Sequence, residues 1–192
     1  MTIRTALVLL SAGLVTIFGA SALGSQTVVA PPSDAVAVKQ FETAVAGYVT
    51  MRRRLANEIA APVPNSTSVQ LNSASDMLAA AIQRSRPNAS VGDLFVAPVT
   101  PVLKRTVDDA VRKGDLKEVL AAIDDEEPAV REPKLHLRFP GSAQMATMPP
   151  SLLAVLPRLP KELEYRIIGR FLVLRDIDAA LIIDYVPDLI PR

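Results

Sequence analysis

The chain has 192 residues, of which 49% are hydrophobic and 21% are charged, and it contains no cysteine. This balance is typical of a folded globular protein and not of a disordered one. The absence of cysteine excludes structural disulfides and a lipid-modified cysteine. Lys and Arg number 21 against 20 Asp and Glu. The chain therefore lacks the basic excess that sequence-independent nucleic-acid binding needs, and we expect no nucleic-acid partner.

Residues 1–24 have the pattern of a signal peptide. Arg4 precedes the apolar run "TALVLLSAGLVTIFGASA", which has the length of a secretory hydrophobic region and is short for a membrane span. Small residues favour cleavage after Ala22 or Gly24. Removal of the leader takes away one of the 21 basic side chains and leaves 20 basic against 20 acidic. The alternative is a retained leader, the only membrane contact that we expect.

Residues 33–123 are predicted to be a helical region. Ser33 has the residue type of an N-cap, and apolar residues then recur at steps of three and four, which indicates the buried stripe of a first helix. Arg52 is the one interruption of that stripe. Pro62 and Pro64 cannot continue the helix and should end it. The stripe consists of Val38, Phe41, Val45, Tyr48, Leu55 and Ile59.

A second and a third helix are predicted to follow. The second runs from about Ser68 to Ser85. The third begins near Pro98 or Pro101, because proline is tolerated in a first turn, and Gly114 is a typical residue just beyond a helix end. The residues that the second helix should bury are Leu71, Leu78, Ala81 and Ile82.

In the second half of the chain the sequence pattern changes from that of helices to that of strands. A short fourth helix over 115–123 is followed by an acidic, proline-bearing linker at 124–133. Residues 134–192 are predicted to be β-rich and to form one compact domain with the helices. Within them, 134–139 alternate apolar and polar side chains as a possible fourth strand, and 148–157 form a single-turn helix between prolines. A three-stranded antiparallel meander completes an α+β fold.

The stretch "LEYRIIGRFLVLRD" predicts the pairing of the first two meander strands. A two-residue turn at 169–170 is the length that best suits strand twist. It places Ile168 opposite Phe171, and it pairs Glu164 with Arg175, a favourable match of charges across the strands.

The third strand, "LIIDYV", is predicted to pair with the second. A loop at 177–180 places Leu174 opposite Ile183 and Leu172 opposite Tyr185. One face of the sheet then carries no charge, which makes it the predicted core face. This face consists of Tyr165, Ile167, Leu172, Leu174, Leu181, Ile183 and Tyr185.

The opposite face of the predicted sheet is an apolar strip with a charged rim, which is typical of a partner-binding site. The alternative is that the helices or residues 150–156 cover this strip as part of the core. The apolar residues of this candidate partner-binding face are Ile168, Phe171, Val173, Ile182 and Val186, and the rim residues are Glu164, Arg166, Arg175 and Asp184.

A resemblance supports the predicted shape of this module. Residues 152–190 have paired "LP" dipeptides, a Tyr-Arg that opens the first strand, a Gly turn, an aliphatic second strand and a third strand with an acidic residue. In these features they resemble the C-terminal module of RcnB-like small periplasmic proteins, which implies secretion to the periplasm of a Gram-negative bacterium. The nickel and cobalt role in that family is not implied, because the chain has one histidine. The segments "YVTMRRRLANEIA" and "ATMPPSLLAVLP", with this sheet, also resemble uncharacterised secreted proteins of environmental bacteria.

No catalytic or metal-binding motif is found in the sequence. His136 is predicted on the polar side of the strand at 134–139, where a surface histidine is the expected role; it could serve as a general base, but no serine motif accompanies it. The acidic run at 124–127 lacks the spacing of a calcium loop. Arg53 and Arg54 are expected on the outer face of the first helix, although they could also meet lipid head groups or acidic partners. We expect no cofactor and no metal.

Three functional hypotheses remain. The leading one is a non-enzymatic periplasmic protein that binds another envelope protein through the outer face or an exposed edge of the sheet. The second is a hydrolase or other enzyme whose site is assembled from scattered residues, and a deep polar pocket with His136 and two carboxylates would favour it. The third is a membrane-tethered structural protein that keeps its leader. The sequence leaves the oligomeric state open.

Overall fold

A computed structural model describes residues 33–59, 65–112, 132–138 and 148–189. In these parts of the chain, four helices precede a three-stranded antiparallel sheet, which confirms the predicted α+β fold. The elements are α1 (Asp34–Asn57), α2 (Ser68–Ser85), α3 (Val99–Arg112), α4 (Pro150–Val155), β1 (Leu163–Ile168), β2 (Phe171–Asp176) and β3 (Leu181–Val186).

Several predictions fall outside the described residues. These are the leader at 1–24, the prolines that should end the first helix, Gly114, and the short helix at 115–123. They stay predictions.

Helix α1 follows the predicted stripe. Ser33 occupies the N-cap position, although its side chain makes no capping hydrogen bond. Phe41, Val45, Tyr48 and Leu55 are buried as predicted, whereas Val38 and Ile59 are half-buried. Arg52, the interruption of the stripe, is buried as well.

Helix α2 has the predicted bounds but not all of the predicted buried residues. Thr67 and Gln70 form a capping box at its start, which satisfies two backbone N–H groups. Leu78 and Ile82 are buried, but the prediction for Leu71 is wrong, since its side chain is 49% exposed. The reason is that residues 68–73, the first turns of α2, face solvent, so the buried stripe begins only further along the helix.

Helix α3 begins at Val99, between the two prolines that were predicted to mark its start. Pro101 lies in its first turn, where its missing N–H costs no helical hydrogen bond. Val99, Leu103 and Val107 are spaced four residues apart and are all buried. The helix therefore lays one apolar stripe on the core.

The first hairpin confirms the predicted register. Ile168 pairs with Phe171, Glu164 pairs with Arg175, and each pair between them is as expected. Gly169 has a φ of +55°. A positive φ at the first turn position is typical of a type II′ turn, which favours glycine there and matches the twist of the strands.

The predicted register of the second hairpin is wrong beyond Arg175. Close to the loop, Arg175 pairs with Ile182, as predicted, but Leu174 pairs with Asp184. Ile183 is therefore an extra residue, a β-bulge that moves every later residue of β3 to the other face. As a result Val186 packs in the main core, and Tyr185, predicted on the core face, lies on the opposite face.

One main hydrophobic core contains side chains from all four helices and all three strands. Its centre includes a row of aromatic rings that links α1 to β1. Phe41 stacks on Phe95 with 5.3 Å between ring centroids, and Phe95 stacks on Tyr165 at 6.4 Å. The helices and the sheet thus share one core, and the position of β1 depends on both.

The predicted strand at 134–139 is a single bridge in the described residues 132–138. Arg138 pairs with Leu181 of β3, but His136 has a φ of +64°, and the N–H of Leu137 donates to the C=O of Lys134 in a turn. This turn interrupts the alternation of side chains that the sequence indicated. Leu137 therefore lies next to β3 without extending the sheet as a regular strand.

Candidate functional site

The two outer edges of the sheet differ, and the strand order β1-β2-β3 makes β1 and β3 those edges. At β3, Ile182 accepts from the N–H of His136 (N···O 2.9 Å) and donates to the C=O of Leu137 (3.0 Å). The side chain of Arg86 donates to the C=O of Ile183 (3.1 Å). Groups from the same chain therefore occupy this edge.

The outer edge of β1 lacks a backbone partner among the described residues, although Tyr165 and Ile167 are only 4% and 2% exposed. In a hairpin with a two-residue turn, the two residues that flank the turn bond to each other, and alternate residues point their backbone groups away. Ile168 flanks the turn, so the N–H and C=O of Ile167 and Tyr165 point away from β2. Neither makes a backbone hydrogen bond on that side in the described parts. Leu163 differs, because its N–H donates to the C=O of Pro160 (3.0 Å).

A groove of about 380 Å³ lies beside the first half of β1. One wall is α4, whose Leu153 is 47% exposed, and another is the chain that leads from α4 to β1. The hydroxyl of Tyr165 donates to the C=O of Pro157 (3.0 Å), which holds this second wall against the strand. The apolar lining consists of Met148, Leu153, Pro157, Leu159 and Leu163.

Charged side chains line the rest of the groove. Arg166 donates from Nη2 to Oε2 of Glu164 (2.6 Å), and Arg175 donates to the same carboxylate across the hairpin. Burial raises the pKa of Glu164, but the two arginines outweigh it, and the net pKa lies below its usual value. The Nε of Arg166 is buried and has no hydrogen-bond partner among the described residues. Arg158 adds an exposed positive charge.

The candidate partner-binding face lies mostly inside the protein. Ile168, Val173 and Ile182 are no more than 2% exposed and form a second, small cluster. Half-buried Leu137, Phe171 and Tyr185 pack against this cluster. The predicted strip is therefore not an exposed apolar surface.

The charged rim of that face is also divided. Val186 and Asp184 are on the helix side of the sheet, because of the bulge at Ile183. Arg175 is buried against Glu164. Of the predicted rim, Glu164 and Arg166 line the groove beside β1.

Asp184 has a structural role that the sequence did not indicate. Its Oδ1 accepts from the N–H of Gly92 (2.9 Å), and its Oδ2 accepts from the N–H groups of Leu94 and Phe95 (2.8 Å each). The carboxylate is fully buried. A carboxylate with several backbone donors is well stabilised, so Asp184 fastens the loop before α3 to the sheet.

His136 does not line the groove beside β1. Its C=O accepts from Nε2 of Gln83 (3.1 Å), and its own Nε2 is buried without a hydrogen-bond partner in the described chain. Burial, together with the positive charge of Arg86, lowers the pKa of His136. This environment differs from the solvent-facing strand position that the sequence predicted.

A second polar cluster that the sequence missed joins α1 to the end of β2. The fully buried Asp176 accepts from the hydroxyl of Tyr48 (2.9 Å) and from Nε of Arg52 (3.1 Å), both through Oδ2. Its Oδ1 accepts from the N–H of Ala179, and Arg52 also binds Asp178. The signal available in the sequence was the arginine within an otherwise apolar stripe. No buried side-chain nitrogen or oxygen of Tyr48, Arg52 or Asp176 lacks a hydrogen-bond partner, so the cluster fits a structural role.

Two features are absent from the described residues. They hold no group of three or more His, Asp or Glu side chains that could bind a metal ion. None of the helices in the described ranges combines the length and the apolar character that a membrane crossing needs.

Comparisons with known proteins gave no match. This holds for family models, for curated proteins and for solved structures. The resemblance to the RcnB-like module therefore stays a prediction.

Proposed function

We propose that this protein acts by binding a segment of another protein chain in the groove beside the first half of β1. One observation carries the proposal: the groove, of about 380 Å³, is lined by apolar side chains, of which Leu153 is 47% exposed, next to charged side chains. An apolar surface with a charged rim is typical of a partner-binding site.

The lining of the groove indicates which segments it suits. In peptide recognition, pockets for side chains supply specificity. The groove offers apolar contacts around Leu153 and charges from Arg158, Glu164 and Arg166. A bound segment with an apolar side chain next to an acidic one fits this lining.

We also propose that the protein works in the cell envelope after export. The support is the leader-like pattern of residues 1–24. N-terminal sequencing of the protein from cells tests this: a start at Leu23 or Ser25 supports export with cleavage. A start at Met1 or Thr2 would favour the membrane-tethered alternative.

A peptide-display selection followed by amide exchange tests the binding function. Random peptides are selected on the immobilised protein, and amide hydrogen exchange is then measured by NMR with and without a selected peptide. We expect the amides of Leu153 and Leu159, in the walls of the groove, to exchange more slowly in the complex, because the bound peptide restricts the opening of these walls. Selected peptides that leave both amides unprotected would contradict the proposal.

A matched pair of leucine variants checks the groove. Leu153→Asp places a charge in the apolar lining and should weaken peptide binding. Leu71→Asp is the control, because Leu71 is exposed to a similar extent (49% against 47%) but lies on α2, outside the groove. Equal affinity of the two variants would show that the peptides bind elsewhere.

A further inference from the structure

We propose that residues 132–138 form a strap along the edge of β3, and that protonation of His136 releases this strap. The strap shares no residue with the described lining of the groove beside β1, so it stands apart from the proposed function. Two observations carry the proposal: the contacts that hold the strap and the surroundings of the imidazole.

Hydrogen bonds to two elements hold the strap. On the side of the sheet, the N–H of His136 donates to the C=O of Ile182 (2.9 Å), and the N–H of Ile182 donates to the C=O of Leu137 (3.0 Å). On the side of α2, Nε2 of Gln83 donates to the C=O of His136 (3.1 Å). These three bonds lie outside the ladders that join β1, β2 and β3, so the strap can open locally while the sheet stays intact.

Leu137 of the strap covers the smaller of the two apolar clusters. Its half-buried side chain packs against Ile168, Val173 and Ile182, which are no more than 2% exposed. Opening of the strap therefore uncovers apolar surface, together with the backbone N–H and C=O groups of Ile182.

The imidazole of His136 suits the closed strap while it is neutral. Its Nε2 is buried, and the guanidinium of Arg86, at the end of α2, acts on the ring with a positive charge. Burial first and this like charge second lower the pKa of His136, because a proton on the ring would be desolvated and repelled. In the open strap the ring is in water, so protonation shifts the equilibrium towards the open form.

The other charged and titratable groups near the strap come from the elements that pack against it and from the strap itself. Asp93, in the loop before α3, is bound to Arg86 (3.2 Å), and Asp76 of α2 is bound to Arg138 of the strap (2.8 Å). Tyr185 of β3 packs against the same small cluster. Both carboxylates thus have an arginine as partner, and the single histidine is the side chain whose ordinary pKa lies between pH 5 and 8.

Amide hydrogen exchange of the unmodified chain, measured by NMR between about pH 8 and pH 5, tests the release. Each exchange rate is divided by the intrinsic rate of an unfolded amide at the same pH, which gives the protection of that amide. Ile182 reports on the strap, because its N–H bonds to Leu137, and Val173 reports on the sheet, because it pairs with Arg166. The chain has one histidine, so the imidazole signals give the pKa of His136 directly.

We expect Ile182 to be less protected than Val173 at every pH, because the strap opens without the sheet. Urea below the unfolding range should leave the exchange of Ile182 nearly unchanged, since opening of the strap exposes little surface, and should accelerate the exchange of Val173. Equal protection and equal urea dependence of the two amides would show that the strap opens only with the whole fold, which overturns the proposal.

The pH dependence of the Ile182 amide tests the role of His136. From high pH to a pH below both pKa values, the protection of Ile182 should fall by a factor of ten raised to the difference between the ordinary 6.5 and the measured pKa of His136. The variant His136→Asn does not titrate and tolerates a positive φ, so it should abolish this fall. A protection of Ile182 that does not change with pH, or an equal fall in the variant, would show that His136 does not release the strap.

Discussion

At the scale of single residues, His136 combines a left-handed backbone conformation with a buried imidazole nitrogen. Its φ is +64°, a left-handed value that is uncommon for residues other than glycine and more frequent for His, Asn and Asp than for the rest, and its Nε2 is buried without a partner among the described residues. Its N–H and C=O nevertheless bind Ile182 and Gln83. The residue therefore holds the segment 132–138 against both β3 and α2.

The lowered pKa of His136 predicts that stability depends on pH. The pKa of His136 in the folded protein lies below the ordinary 6.5. The unfolded chain therefore takes up the proton more readily, and stability is lost as the pH falls from about 6.5 towards the folded pKa. We expect the free energy of unfolding, from urea titrations, to be constant above about pH 7.5 and to decrease below pH 6.5.

The variant His136→Asn is the control for this prediction, because asparagine tolerates a positive φ and does not titrate. It should remove the decrease near pH 6. The lowered pKa values of Glu162 and Glu164, from an ordinary 4.5, act only at more acidic pH and should be the same in both proteins. An equal decrease near pH 6 in the variant would assign the effect to another group.

The sequence could not predict this environment of His136. The alternation of residues 134–139 indicated a strand, and alternation alone does not reveal a turn at a residue other than glycine. The turn depends on contacts with β3 and α2. Those elements are distant in the sequence, so their side chains do not enter a local pattern.

At the scale of elements, the two hairpins show what local sequence can determine. The first was predicted correctly because a two-residue turn with glycine sets the register by itself. The second contains the bulge at Ile183, which turns Asp184 towards the N–H groups of Gly92, Leu94 and Phe95. These hydrogen bonds join β3 to a loop some ninety residues away in the sequence. No feature near β3 in the sequence therefore indicates the bulge.

Two glycine substitutions test the importance of the first turn. Gly169→Ala introduces a Cβ at a φ of +55° and should destabilise the protein by about 1 kcal/mol. Gly47→Ala is the matched control within α1, where a Cβ would meet nothing within 4 Å. It should stabilise the protein by about 0.5–1 kcal/mol, because alanine has less conformational freedom to lose in a helix. Urea unfolding of both variants checks the opposite signs, and a neutral Gly169→Ala would contradict the assigned turn.

At the scale of the whole molecule, the helices and the sheet are joined by the main core and by the cluster around Asp176. The sequence predicted most of the apolar contacts, since they follow helix and strand periodicity. It identified Arg52 only as an interruption of a stripe. The partner, Asp176, follows it by 124 positions. A sheet edge was among the expected binding surfaces, but the bonds of His136 and Leu137 to Ile182 at the edge of β3 join segments too distant in the sequence to be predicted.

The ion pair between Arg52 and Asp176 gives a test of how firmly the two halves are joined. Arg52→Met keeps the volume of the side chain but leaves the fully buried Asp176 without its cation. Breaking a buried pair from one side costs about 3–5 kcal/mol, because the remaining charge stays desolvated. The variant Arg54→Met, on the exposed face of the same helix, should change stability by less than about 0.5 kcal/mol.

The double variant Arg52→Met with Asp176→Asn shows whether the charge itself causes that loss. Asparagine removes the unpaired charge, and it keeps an oxygen for the N–H of Ala179 and a polar group near the Tyr48 hydroxyl. We therefore expect the double variant to be at least as stable as Arg52→Met alone in urea unfolding, with a coupling free energy well above experimental error. If the two substitutions add instead, the unpaired charge of Asp176 does not cause the loss in Arg52→Met, and the cluster does not join helix to sheet electrostatically.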